Sequence, residues 1–238
     1  MTEASDTLVT DKWRLLDDVG VARSAAEQME TDLGLLDEVE AGAAPTLRLY
    51  TWRAPALSIG HFQPFSDVDS SACTRHAVEV VQRPTGGAAL LHGGDLTYAV
   101  VMPIARARRS VQAIYDEIAS ALIAGLDRLG VEAAVAHTRG QRGPVCFAGQ
   151  EGADLRVGHR KVCGSAQMRR RELVLQHGSI LLRRLDIDET DLVTGPRDRA
   201  QLRRSTVTLS ELGAPSDART VADALTAGFE TALGVTYQ

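Results

Sequence analysis

The sequence predicts an α+β fold with a mixed, mostly antiparallel sheet flanked by helices. Three observations carry this. Strand-like segments are joined largely by hairpins and short loops rather than by regular strand–helix–strand alternation. Helical periodicity is confined to a few separate stretches, near the start, middle and end of the chain. With 238 residues, 44% of them hydrophobic, the chain can bury a full core.

From Ser24 to Val39, apolar residues recur at helical spacing (Ala25, Met29, Leu33, Leu36) with acidic residues between them, and Pro45 closes the gap that follows. Leu47 to Trp52 alternates like a half-buried strand, and Ala56 to Gly60 reads as a second. Val78 to Gln82 is a third, leading into Arg83-Pro84-Thr85-Gly86-Gly87, and Leu96 to Met102 is rich in β formers and bounded by Pro103. Ser110 to Leu129 is the clearest helix, with Val111, Ile114, Ile118, Leu122 and Leu126 on one face and Gly130 as its C-cap. After a loop holding Cys146 come strands over Leu155 to Val162 and Leu173 to Leu182, then an arginine-rich stretch, then a last helix over Asp217 to Leu233. No repeat, low-complexity segment or linker interrupts this, so one domain over residues 1–238 is expected.

A net charge of −5 argues against general nucleic-acid or anionic-membrane binding. Arginines cluster at 106, 108 and 109, at 169 to 171 and from 197 to 204, which reads as solvated surface or as a docking face for an acidic carrier protein. Three cysteines (Cys73, Cys146, Cys163) without framework spacing suit a reducing compartment. The N-terminus has no basic region followed by an apolar run, and apolar stretches stay near ten residues, so a cytoplasmic protein with no membrane partner is expected.

Chemistry concentrates in three places. Lys161 is the only lysine after residue 12, in a chain whose other basic residues are nearly all arginine, and Gly164, Ser165 and Ala166 follow it. An ammonium and a flat guanidinium do different jobs, so a lone lysine suggests a site. The paired glycines of Arg83 to His92 let backbone approach a ligand, or equally form a tight turn. This is neither a Walker loop nor a dinucleotide fingerprint. Cys146, with arginines at 139 and 142, reads either as an ionisable nucleophile or as a small buried hydrophobe. Cys163 reads as core and Cys73 carries no signal. His177, His92 and His61 read as ligand-orienting or as satisfied structural histidines, and no His/Cys/Asp/Glu group has metal-ligand spacing.

Taken together, these motifs resemble the lipoate–protein ligase A and octanoyltransferase family, which shares a catalytic fold with biotin protein ligases. The resemblance rests on five segments in the family's order, from about residue 45 to 185. Leu49-Tyr50-Thr51-Trp52 through Ser58-Ile59-Gly60-His61-Phe62-Gln63 resembles its strand pair ending in Gly-x-x-Gln. Arg83 through His92 resembles its lipoate-binding loop, continued by Asp95-Leu96-Thr97-Tyr98. Arg160 through Gln167 and His177-Gly178-Ser179 resemble the catalytic-lysine strand and its partner. Ala88 stands where a third glycine is usual, and Gly93 where an aspartate is common; both alter the ligand loop.

The resemblance implies Lys161 as a catalytic residue. It implies Arg83, Thr85, Gly86, Gly87, Ala88, His92, Gly164, Ser165, Ala166, His177 and Gly178 as the acyl or adenylate site. Val145-Cys146-Phe147 points to the cysteine-dependent octanoyltransferases, in which Cys146 would take an octanoyl group from acyl carrier protein as a thioester and pass it to the target lysine of a lipoyl domain, with no cofactor. The alternative is a ligase joining free lipoate to the same lysine through lipoyl-adenylate, with ATP and Mg; ligases usually show an Asn-Asp pair where this chain has Ala153-Asp154. The C-terminal accessory domain of many ligases is not expected. A non-catalytic lipoyl-domain binder is a remote third reading, opposed by the presence of Lys161 and Cys146 together.

Overall fold

The computed structural model describes residues 11–104, 110–136, 154–195 and 198–238. The chain runs β1 (Lys12–Asp18), α1 (Ala25–Glu40), β2 (Thr46–Tyr50), β3 (Ala56–Ile59), α2 (Ser70–Arg75), β4 (Glu79–Gln82), β5 (Leu90–His92), β6 (Asp95–Pro103), α3 (Val111–Asp127) and β7 (Ala134–Val135). It continues β8 (Leu155–Val157), β9 (Arg160–Arg170), β10 (Leu173–Leu181), α4 (Glu189–Leu192), α5 (Arg199–Ser205), α6 (Ala218–Leu233) and β11 (Thr236–Tyr237). The large sheet has the order β11-β1-β2-β6-β10-β9-β8-β7, and a small one the order β4-β3-β5. Pairing is antiparallel except between β1 and β11, β1 and β2, and β3 and β4. The expected mixed, mostly antiparallel α+β architecture is what the chain adopts.

Strand alternation divides the large sheet into two buried faces. Leu47, Leu49, Leu96, Tyr98 and Val100 pack under α3 and α6, against Ile114, Ile118, Leu122, Leu225 and Phe229. Tyr50, Ala99, Val101 and Leu175 face the other way, under Met29, Leu36 and Val39 of α1. Each long helix starts on a side-chain cap. Ser24 and Glu27 form a reciprocal capping box on α1, Ser110 accepts the Ala113 N–H, and Asp217 accepts the Thr220 N–H. No helix among the described residues is long and apolar enough to cross a membrane.

Several boundaries differ from the sequence reading. The strand expected over Leu155 to Val162 is a hairpin, β8 and β9, turning at Gly158 where φ is +61°. The strand expected to reach Trp52 stops at Tyr50. The α3 cap falls at Arg128, and Gly130 follows two residues later at φ +74°. Inside the arginine-rich stretch, Asp188 and Asp198 cap two short helices, α4 and α5. The α1 face is the most informative departure: Leu33 is exposed, while Gln28 and Asp32 are fully buried. Several arginines of the clusters at 169 to 171 and 197 to 204 are ion-paired. Arg170 meets Asp37 and Glu40, and Arg199 meets Asp188 and Asp191.

One buried carboxyl lies behind the small sheet. Burial pushes the Glu189 side chain up to about 7, against the pull of its own N–H and that of Leu91, which donates to Oε1 at 3.1 Å. The folded state therefore holds a proton that the unfolded chain releases near pH 4.5, so stability falls as pH rises from there towards about 7. Glu189→Gln keeps the acceptor and removes the titration. Its melting temperature is expected to match wild type near pH 5 and to exceed it at pH 8, measured by calorimetry across that range.

Candidate functional site

A cleft opens where β6, β9 and β10 meet the small sheet and the first turns of α1. Met29, Trp52 and Leu90 give it apolar walls, and Gly164, Ala166 and Gly178 line it from β9 and β10. Of the residues expected at the site, Arg83, His92, Gly164, Ser165, Ala166, His177 and Gly178 all line this one cleft. They come from strands that are far apart in sequence and adjacent in register: Tyr98 sits opposite Gly178, and Gly178 opposite Ser165.

That register explains Gly178. The Tyr98 ring lies across it, and its hydroxyl reaches Ser165 Oγ at 2.7 Å while accepting from Gln176 Nε2 at 2.8 Å. A Cβ at position 178 would stand 2.6 Å from Tyr98 Cε1 and against the Gly164 carbonyl. Burial holds the Tyr98 phenol well above its usual range, with Cys163 adding to the effect, so the hydroxyl stays protonated.

The expected ligand loop is a clamp around Arg83. Its buried guanidinium donates to the carbonyls of Ser58 (2.9 Å), Gly86 (3.0 Å) and Ala88 (2.7 Å) and to Ser58 Oγ (3.0 Å). Gly87 adopts φ +93°, and its carbonyl occupies the space a Cβ on Gly60 would need. The glycines thus serve backbone approach between two loops, and neither Gly86 nor Gly87 is part of the cleft lining. The Thr85 carbonyl accepts from His61 N–H at 2.8 Å, and Thr85 Oγ1 meets His177 Nε2 at 2.6 Å.

Two polar networks close the walls, and both contain residues the sequence reading did not assign to the site. Asp95 is the hub of the first. Its Oδ2 takes His92 Nδ1 at 2.8 Å, Ser179 Oγ at 2.5 Å and Thr97 Oγ1 at 3.0 Å, and its Oδ1 takes Gly93 N–H at 2.9 Å. Burial alone would push this carboxyl up, but His92, Ser179 and the Gly93 N–H together hold it below the usual range. His92 Nε2 meets Ser58 Oγ at 2.8 Å, and Trp52 stacks on the imidazole with centroids 4.0 Å apart.

The second network starts at Arg48, which is fully buried on β2. It donates to Asp18 Oδ2 at 2.8 Å and Asp32 Oδ1 at 2.7 Å, and also to Gln28 Oε1. Asp32 Oδ2 in turn faces His177 Nδ1 at 3.1 Å and accepts from the Tyr50 hydroxyl at 3.1 Å. Isolated acidic residues on an amphipathic helix look solvated. The one local sign in the sequence is Arg48 itself, between Leu47 and Leu49 in a strand with both faces covered.

Lys161 lies three residues before Gly164 on β9, about 10 Å along an extended strand, outside the residues that line the cleft. It is 2% exposed, and its Nζ is 2.8 Å from Asp154 Oδ2, which is equally buried. Its carbonyl accepts from Val207 N–H at 2.9 Å, so the start of β9 is held from both sides. Cys146 falls in 137–153, outside the described residues. Cys163 is fully buried in the core, and Cys73 is buried in α2. Among the described residues no group of three His, Cys, Asp or Glu side chains is arranged to hold a metal ion.

The lipoyl protein ligase A/B catalytic domain profile matches residues 24–230. The chain belongs to that family. Its relatives include the octanoyltransferase LipM of Carboxydothermus hydrogenoformans, 41% identical over 185 residues that cover 75% of this chain and 68% of that one. The octanoyltransferase LipM of Symbiobacterium thermophilum is 39% identical over 246 residues, covering 94% and 87%. Among solved structures, a bi-partite lipoate protein ligase from Thermoplasma acidophilum, studied with its E2 lipoyl domain, superposes with a TM-score of 0.78 at 22% identity, covering 95% of this chain and 86% of that one. A lipoate-protein ligase A bound with ATP gives 0.77 at 22% identity, covering 95% and 87%. The structural likeness shows that the lipoyl ligase catalytic fold is shared, as the sequence motifs led us to expect.

Gly178 offers a direct check of the register at the cleft. Gly178→Ala should force Tyr98 aside and destabilise the fold by about 2 kcal/mol, as over-packing does. Chemical denaturation measures this, and Ala tolerated without loss would mean that the tyrosine does not cross the glycine.

Proposed function

We propose that this chain is an octanoyltransferase that moves an octanoyl group from acyl carrier protein, through a thioester on Cys146, to the target lysine of a lipoyl domain. The observation that carries the proposal is the similarity to octanoyltransferases LipM over most of both chains. A cleft with apolar walls, and a buried lysine further along the same strand β9, support it. In this reading the alkyl tail lies between Met29, Trp52 and Leu90, where each buried methylene gains roughly 0.8 kcal/mol.

The chemistry follows in two steps. The Cys146 thiolate attacks the thioester carbonyl, the carrier's thiolate leaves, and the octanoyl group rests on Cys146 Sγ. The ε-amine of the acceptor lysine then attacks the same carbonyl, loses a proton, and expels the Cys146 thiolate as the amide forms. Negative charge develops on the carbonyl oxygen in both steps. Lys161, held at one point by Asp154 and buried from water, is the group that stabilises it, and such charges act most strongly where water is excluded. Neither step needs a metal or a nucleotide. Lipoate ligation with ATP and Mg is the second reaction that the family's name admits, and it is tested in parallel.

Purified protein and an apo lipoyl domain are offered either octanoyl-acyl carrier protein or lipoate with Mg-ATP, and intact mass is read after each incubation. Transfer from the carrier protein without ATP is expected. Cys146→Ser should cut it by several orders of magnitude, because a serine hydroxyl is almost wholly protonated at pH 7. Lys161→Arg should fold but lose more than nine-tenths of the rate, since the wider guanidinium cannot place the same point charge. Lipoate attachment at full rate by Cys146→Ser would favour the ligase reaction, and no transfer in either arm would favour a binding role.

A further inference from the structure

We propose that Asp32 is a positioning residue for the acyl site, acting through His177 on Thr85 to hold the ligand loop in place. The inference rests on the octanoyltransferase reading for its kinetic arm only. Three side chains from three distant segments make a continuous buried line: Asp32 Oδ2 to His177 Nδ1 at 3.1 Å, and His177 Nε2 to Thr85 Oγ1 at 2.6 Å. All three are at most 5% exposed. Asp32 is itself pinned by Arg48 and by the Tyr50 hydroxyl. Burial, then Asp32, holds the Tyr50 phenol well above its usual range, so this partner donates.

The Asp32 carboxylate fixes the direction of the first hydrogen bond, and the tautomer that follows sets the second. A carboxylate only accepts, so the ring N–H facing it is Nδ1–H, and in the neutral ring Nε2 is left to accept the Thr85 hydroxyl. Thr85 also accepts from His61 through its carbonyl, and Gly86 and Gly87, which follow it, sit between Arg83 and Gly60. The line therefore ties the loop beside the small sheet to β10 and α1. His177 lines the cleft and Asp32 is not among its lining residues, so Asp32 acts at one remove, by setting the tautomer of the imidazole that holds the loop.

The test uses full-length wild type, Thr85→Val, Thr85→Ser and Asp32→Asn. Long-range nitrogen–proton spectra of the His177 ring, assigned by its loss in His177→Gln, should show Nδ1 protonated and Nε2 unprotonated in wild type. Asp32→Asn should reverse the two, which a merely structural role would not do. With octanoyl-acyl carrier protein as donor, Thr85→Val should raise KM about tenfold, the worth of one hydrogen bond, with kcat changed less than about twofold, and Thr85→Ser should recover most of the loss. Wild type with Nε2 protonated, or Thr85→Val with unchanged KM, overturns the proposal. If Asp32→Asn does not fold, the wild-type spectrum and the Thr85 pair decide. A wild type that accepts no octanoyl group defeats the octanoyltransferase reading, and the ring spectrum still tests this one.

Discussion

The buried charge of Arg48 constrains everything around the cleft. Its guanidinium is fully enclosed between β2 and α1, and a charge removed from water is tolerated only when it is paired and hydrogen-bonded. Asp18, Asp32 and Gln28 supply that pairing from a strand end and one helix face. Burial disfavours the charge, but Asp32, Tyr50 and Asp18 together raise the guanidine's pKa, so the ion pair persists. Removing one partner from such a set typically costs about 3–5 kcal/mol. The set therefore fixes how α1 lies on the sheet, and through that fixes Met29 in the cleft wall and Asp32 beside His177.

The cleft itself is a compromise between an apolar interior and a polar frame. Met29, Trp52 and Leu90 give the apolar contact, while two sheets and a loop are held apart to leave the space. The Asp95 and Arg48 networks do the holding, one on each side, and each ends on a histidine that lines the cleft. Lys161 lies beyond this frame, at the start of β9. A tail in the cleft and a reacting carbonyl towards Lys161 are consistent with an extended acyl group spanning about 10 Å of strand.

Much of this was legible in the sequence because it depends on local pattern. The three long helices carry caps and periodicity, and the glycine and histidine motifs mark where strands meet. What was not legible depends on partners distant in the chain. β1 mixes charged and apolar residues without clean alternation, because Arg14, Asp17 and Asp18 all pair with residues at least 20 positions away or on another element. The short helices α4 and α5 begin on aspartate caps inside a stretch whose composition resembles a loop. Gln28 and Asp32 carry no local sign of burial for the same reason: only a buried arginine on another element shows that they point inwards. Asp95 stood inside a recognised motif, yet its role as a hub needs Ser179, 84 residues on.

A crystal structure of the octanoylated protein, or of wild type with a non-hydrolysable octanoyl thioester analogue, would show where the acyl chain lies. Alkyl density is expected between Met29, Trp52 and Leu90, with the carbonyl directed along β9 towards Lys161. Density for the chain in the separate cavity beside Glu189 and Leu185, with the cleft between Trp52 and His177 filled only by solvent, would contradict that placement.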